Sequence, residues 1–229
     1  MKTVRTRAIV LRRTNYGEAD RVLDMLTPDG RMSAMARGVR KEKSKLAGGI
    51  ELFAICDVVI GQGKGNLGVL TSARLVTFYR HILEDYDRMQ FAYEALVQIT
   101  KASGSMDEAE WYDVAADVLA ALDTLSVPLA LVQTWFYVRV SMILGEELST
   151  TRDYRGEKLE EDKRYKYDNT ERGFVEDARG AVTAQHIKIL RLVGAKPLSV
   201  LLQVGGMGDY LAECLDTARR HAALQTVLK

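Results

Sequence analysis

Apolar positions along the chain follow two different periods, and the change between them falls near residue 78. Up to that point they come in short, partly β-branched runs separated by polar turn material. TRAIVLRR (6–13), DRVLDMLT (20–27), RMSAMARG (31–38), IELFAICDVVI (50–60) and LGVLTSA (67–73) read as five strands. In the fourth run Ile50, Leu52, Ala54, Cys56, Val58 and Ile60 share one face, because side chains alternate across a strand; that face has to be buried. TPDG, between the second and third runs, puts Pro28 and Gly30 where a type I turn prefers them. Five short strands with a long loop between the third and fourth suit the partly open barrel of the OB type.

Beyond residue 78 the spacing changes to three and four. Ile82, Leu83, Tyr86, Met89, Tyr93, Leu96 and Val97 predict one helical stripe. A second helix is expected from about 107 to 125, with Trp111, Val114, Ala115, Val118, Leu119 and Leu122 inward and Asp107 and Glu108 at its positive end. Pro128 opens a third, carrying Val132, Trp135, Phe136 and Ile143, and Gly145 stops it. Residues 146–180 mix charges of both signs around scattered tyrosines and read as a loop, hairpin or insert. Helical spacing returns at Ile187, Leu190, Leu192 and Val193, and again at Leu211, Leu215 and Ala218. No internal repeat is visible. The expected class is α+β with two domains, a barrel over 1–78 and a helical domain over 79–229 that carries the charged insert.

Charge sharpens that division. The 229 residues carry a net +1, but residues 1–78 hold 14 Lys+Arg against 7 Asp+Glu, whereas residues 79–229 hold 18 against 24. A barrel at +7 beside a helical part at −6 suggests that the first module faces a polyanion. Two cysteines, Cys56 and Cys214, lie far apart without a pairing pattern, which suits buried thiols in a reducing compartment. No run approaches the roughly 18 apolar residues of a membrane helix, and the start lacks the apolar core of a secretory signal, so a cytoplasmic location is expected.

Candidate chemistry is sparse. GKGNLG (63–68) satisfies G-x-G-x-x-G and opens the alternative of a dinucleotide-dependent enzyme, but extended sequence follows it where that motif needs a helix. His81, His186 and His221 share no ligand spacing and read as surface or boundary residues. No acid pair or nucleophile with its base stands out, so the chain reads as a non-enzyme. The loop RGVRKEKSK (37–45) differs. Arg37, Arg40, Lys41, Lys43 and Lys45 face one acid, Glu42, and Arg12, Arg13, Lys64 and Arg74 belong to the same module. Such cations could gather along one groove and hold a phosphate chain. Only Tyr16, Phe53 and Phe78 are aromatic in this module, so binding should be electrostatic and tolerant of sequence, with an RNA-binding barrel as an alternative to a DNA-binding one.

TRAIVLRRTNYGEADRVLDMLT, followed in order by GVRKEKSKL, ELF and GKGNLGVLTSA, resembles the RecO family of bacterial recombination mediators. Beyond residue 79 the likeness is looser, in AYE (92–94), the Pro128-led helix with WFYVR, and LG (144–145). The resemblance implies an OB barrel joined to a helical domain and no active site. It implies a nucleoid-associated protein that binds single- and double-stranded DNA and anneals complementary strands. It would act with RecR and the acidic-apolar tail of the single-strand-binding protein SSB, so that RecA loads. Many members carry a four-cysteine zinc module in the region of 148–180. Here Arg152, Arg155, Glu176 and Arg179 stand at those places, so zinc is expected to be absent. Ion pairs of Arg152 or Arg155 with Glu176 are expected to hold a mobile insert instead.

Overall fold

Five strands between Lys2 and Phe78 are joined edge to edge by backbone pairing. The computed structural model describes residues 2–63, 65–103 and 110–226. Strands β1 (Lys2–Tyr16), β2 (Asp20–Thr27), β3 (Gly30–Ala36), β4 (Ala54–Gln62) and β5 (Leu67–Phe78) close in the order β1-β2-β3-β5-β4. The barrel is therefore of the OB type but closed rather than partly open. A short parallel pairing of Ser33–Met35 with Leu67–Val69 seals it, while β1 pairs with β4 on the other side. Ala8, Val10, Leu23, Met25, Ala34, Cys56, Val58, Ile60 and Leu70 fill the interior.

Strand boundaries differ from expectation in several places; β5, for example, runs on to Phe78 instead of ending at residue 73. β4 begins at Ala54, not at residue 50, because Phe53 has φ 56 and a left-handed residue breaks the pleat. β1 is far longer than 6–13. Its buried run of Ala8, Ile9, Val10 and Leu11 has apolar side chains on both faces because helices contact β1 from outside.

Those helices are α1 (Tyr86–Ala102), preceded by a 3-10 turn over Arg80–Glu84, and α2 (Glu110–Asp123). In α1 the buried stripe is Arg88, Phe91, Ala92, Ala95, Leu96 and Ile99. The expected stripe is not the buried one: Ile82 and Leu96 are buried, but Leu83, Tyr86, Tyr93 and Val97 are exposed. Both sets satisfy three-four spacing, and the alanines win because small side chains let the helix approach closely. Arg88, buried, donates to the carbonyls of Leu122 and Leu125 at 3.2 and 2.9 Å, and so closes the end of α2. The predicted inward set of α2 is buried throughout. Asp107 and Glu108 lie outside the described residues.

The chain divides into two compact units, Met1–Leu125 and Ser126–Lys229. The change from strand to helix at 78/79 is thus not the division between units: α1 and α2 belong with the barrel. Phe53 meets Tyr93 edge-on at 4.8 Å, and Arg31 Nη1 donates to the Thr100 carbonyl at 3.0 Å.

The second unit contains α3 (Leu129–Ile143), β6 (Tyr165–Asp168), β7 (Gly173–Glu176), α4 (Ala184–Ala195), the single turn α5 (Leu198–Leu201) and α6 (Leu211–Thr226). Pro128 caps α3 and Gly145, at φ 76, turns the chain after it, as expected. Within the insert β6 and β7 pair as a hairpin. Tyr165, Tyr167 and Phe174 form its buried aromatic core, and Arg220 of α6 donates to the Tyr167 carbonyl at 2.9 Å. The expected ion pairs are not made. Arg152 donates to the Gly156 carbonyl and Arg155 to the Tyr154 hydroxyl, while Glu176 pairs with Lys163 at 3.0 Å. Short reach decides this, since each arginine finds an acceptor within four residues.

Two histidines are buried rather than on the surface. His221 Nε2 lies 2.7 Å from the Glu146 carbonyl, which can only accept; that leaves Nδ1 to accept from the Tyr167 hydroxyl at 2.9 Å. His186 sits in the capping box of α4, its Nδ1 accepting from the Thr183 backbone N–H at 3.1 Å. Burial lowers the pKa of both.

Candidate nucleic-acid interface

The basic connection between β3 and β4 is built by alternating anchors and cations. Val39 and Ile50 are buried in the barrel core, with Leu46 and Leu52 packed against them, so the segment lies across the end of the barrel. Gly49 permits that closeness: a Cβ there would sit 2.5 Å from the Ala73 carbonyl group. Gly38, at φ 62, turns the chain out of β3, and its N–H donates to Asp20 Oδ1 at 2.6 Å. The Arg40 N–H donates to the Ala19 carbonyl at 2.9 Å.

With the apolar side chains drawn in, Arg37, Arg40, Lys41, Lys43 and Lys45 are left exposed. None of the five makes an ion pair among the described residues. Arg40 Nη1 reaches only the Gly17 carbonyl, at 3.2 Å. These charges face water and are free to meet an anion.

The other expected cations are placed differently. Arg12 grips the nearly buried Asp24 through two nitrogens, at 3.0 and 2.9 Å, and Ser33 donates to the same carboxylate at 2.7 Å. Arg13 bonds Glu51 at 3.0 Å, beside the stem of the connection. Arg74 bonds Asp57 at 2.8 Å on the far flank of β4. Lys64 lies outside the described residues. Arg12 on β1 thus meets β2 and Arg74 on β5 meets β4, while Arg13 meets an acid of the connection itself. Two exposed arginines that the sequence reading passed over, Arg5 and Arg7, lie on β1 near Arg74. Their alternation with Val4 and Thr6 is the signal, legible once β1 is known to start at Lys2.

The glycine motif lacks the helix that a dinucleotide fingerprint requires. Gly68 lies within β5, opposite Ala34 of β3, and a strand rather than a helix follows the loop. Gly68 is a glycine for packing, since a Cβ there would collide with Ile60 Cγ2. The adjoining depression, about 640 Å³, has Arg31 on its wall, but that cation is held by Thr100 and Asp24.

Among the described residues no group of three His, Cys, Asp or Glu could hold a metal ion. Cys56 and Cys214 are buried in β4 and α6, and burial pushes their thiols up to about 11 and about 12. Among the described residues no helix is long and apolar enough to cross a membrane. In the second unit a pocket of about 350 Å³ is lined by Val138, Met142, Leu148, Leu190 and Gly194, with the exposed Arg191 alongside.

Residues 1–79 match the family described as Recombination protein O N terminal. The chain is similar to the DNA repair protein RecO of Rubrobacter xylanophilus, with 30% identity over 63% of this chain and 58% of that protein. It is also similar to the protein of that name from Heliobacterium modesticaldum, 35% identical over 63% of this chain and 52% of the relative. The one from Dehalococcoides mccartyi strain 195 is 47% identical over 32% of this chain and 30% of the relative. The chain thus spans from about a third to under three fifths of the length of these relatives.

Proposed function

We propose, for a chain that belongs to the RecO family, a DNA repair and recombination protein that works by binding and not by catalysis. Its barrel unit holds the DNA phosphate backbone through Arg37, Arg40, Lys41, Lys43 and Lys45. One observation carries this reading: the connection's apolar side chains are anchored in the barrel while its five cations stay exposed without acid partners. Single and double strands both offer phosphates, so both are ligands. Two phosphate chains repel each other, and a cationic surface that holds both lowers the barrier to their pairing.

The second unit is the partner-binding part. Its apolar pocket beside Arg191 fits an acidic peptide with an apolar end, such as the tail of the single-strand-binding protein. RecR is the other direct partner, RecA is served indirectly, and the place of work is the nucleoid in the cytoplasm.

The test is fluorescence anisotropy of a labelled single strand with the full chain, repeated across salt. Five neutralised phosphates give a log–log slope of about −3.5. Reversing Arg37, Arg40, Lys41 and Lys43 to Glu is expected to abolish binding. A folded variant that binds as tightly as the parent overturns the reading.

A further inference from the structure

The helices of the first unit cover only part of the barrel's outer surface. Ile9 and Leu26 are register partners on that surface and are buried where α1 and α2 contact β1 and β2. Toward the start of β1 the cover ends. Arg5 and Arg7 share the outward face with Ile9, by the alternation of side chains along a strand, and both are exposed. The register sets Asp57 of β4 opposite Arg7, and Arg74 of β5 opposite Asp57 on its other side. The next row outward is Arg5, Val59 and Ser72.

Two guanidinium groups thus flank one carboxylate, and a third, that of Arg5, lies one row away. Arg74 Nη2 lies 2.8 Å from Asp57 Oδ2 and Arg7 Nε lies 3.9 Å from Oδ1, with the arginine side chains 80% and 65% exposed. Arg5 makes no ion pair among the described residues. Two positive charges remain uncompensated on an open sheet face. Folding does not ask for them, since exposed ion pairs contribute only about 0–1 kcal/mol each. The acid orients two guanidinium forks outward, toward a ligand that can accept several hydrogen bonds. No aromatic side chain lies in these rows, so the ligand is recognised through its backbone charge.

The connection after β3 enters β4 at Ala54, and Asp57 and Val59 lie three and five residues further along. At about 3.3 Å per residue the strip sits roughly 10 to 17 Å from the loop's stem. We propose that Arg5, Arg7 and Arg74 form a second phosphate-binding strip, so that the barrel unit holds two nucleic-acid backbones at once. The strip deepens the reading of this unit as the DNA-binding one and rests on it. A strand held on the loop and another on the strip have their repulsion offset from the same unit, which is the condition for pairing.

The test uses the full chain and two noncomplementary strands with donor and acceptor dyes. Energy transfer reports capture of a second strand, and a complementary pair reports annealing. In the variant Arg5→Gln/Arg7→Gln/Arg74→Gln, checked for folding by circular dichroism, first-strand affinity is expected to change little. Second-strand capture and annealing should each fall about tenfold or more, with the salt slope of capture less steep by about 2 for three lost phosphate contacts. Asp57→Asn should move capture the other way and tighten it, which a merely structural ion pair would not do. A folded triple variant that captures and anneals like the parent overturns the strip, as does a folded Asp57→Asn protein whose capture is unchanged or weaker. Parent protein that binds no strand at low salt instead overturns the DNA-binding reading itself.

Discussion

Gly68 illustrates how one residue type serves two different physical ends. In a dinucleotide motif a glycine makes room for a ligand; here it makes room for Ile60, whose Cγ2 occupies the place a methyl group would take. Gly63, in the same hexapeptide, has nothing within 4 Å of that position. Gly68→Ala is therefore expected to lower stability by about 1–3 kcal/mol in a chemical denaturation series, and Gly63→Ala to leave it almost unchanged. Equal effects would show that the loop, not the barrel interior, constrains these glycines. Arg88 makes the complementary point. A cation on the buried face of α1 breaks the apolar pattern, yet it is what satisfies the carbonyls at the end of α2.

At the scale of the element, the hairpin of β6 and β7 is held by an aromatic core and by hydrogen bonds to its neighbours. Its aromatic core is joined to α6 through the Tyr167 hydroxyl and His221, whose other nitrogen meets the Glu146 carbonyl. Burial first, and the neighbouring Arg172 cation next, keep the His221 pKa below its ordinary value near 6.5. The folded protein then binds fewer protons than the unfolded chain in mild acid. Stability is full above about pH 6.5 and falls as the pH drops through the unfolded value. The thermal midpoint should accordingly be lower at pH 5 than at pH 7.5, the difference should shrink in His221→Gln, and a chelator should leave the midpoint unmoved. Elemental analysis showing stoichiometric zinc, or a midpoint indifferent to acid, would contradict this account.

For the whole molecule, the consequential feature is that the first unit runs to Leu125. Ile9 and Leu26 on the outside of the barrel, the Phe53 ring and the Arg31 guanidinium all find their partners in or beside α1 and α2. A fragment of residues 1–125 is expected to melt cooperatively, whereas residues 1–78 alone should melt at lower temperature or aggregate, because that outer apolar surface is left in water. Matching melting curves for the two fragments would refute the assignment of α1 and α2 to the barrel.

Local pattern was enough for much of this. Alternation marked the inner faces of the strands, proline and glycine marked the ends of α3, and the cation-rich connection was plain as a run of like charge. Periodicity cannot say which of two similar faces of α1 is buried, since Tyr86 and Tyr93 repeat as regularly as Phe91 and Ala95. Nor can it tell a free cation from a paired one. Arg12 and Arg74 look like Arg37 in a string of letters, but their acids, Asp24 and Asp57, lie 12 and 17 residues away and meet them only through strand register. That register depends on how the barrel closes, so the division between arginines that bridge strands and cations left to water was decided by the tertiary structure alone.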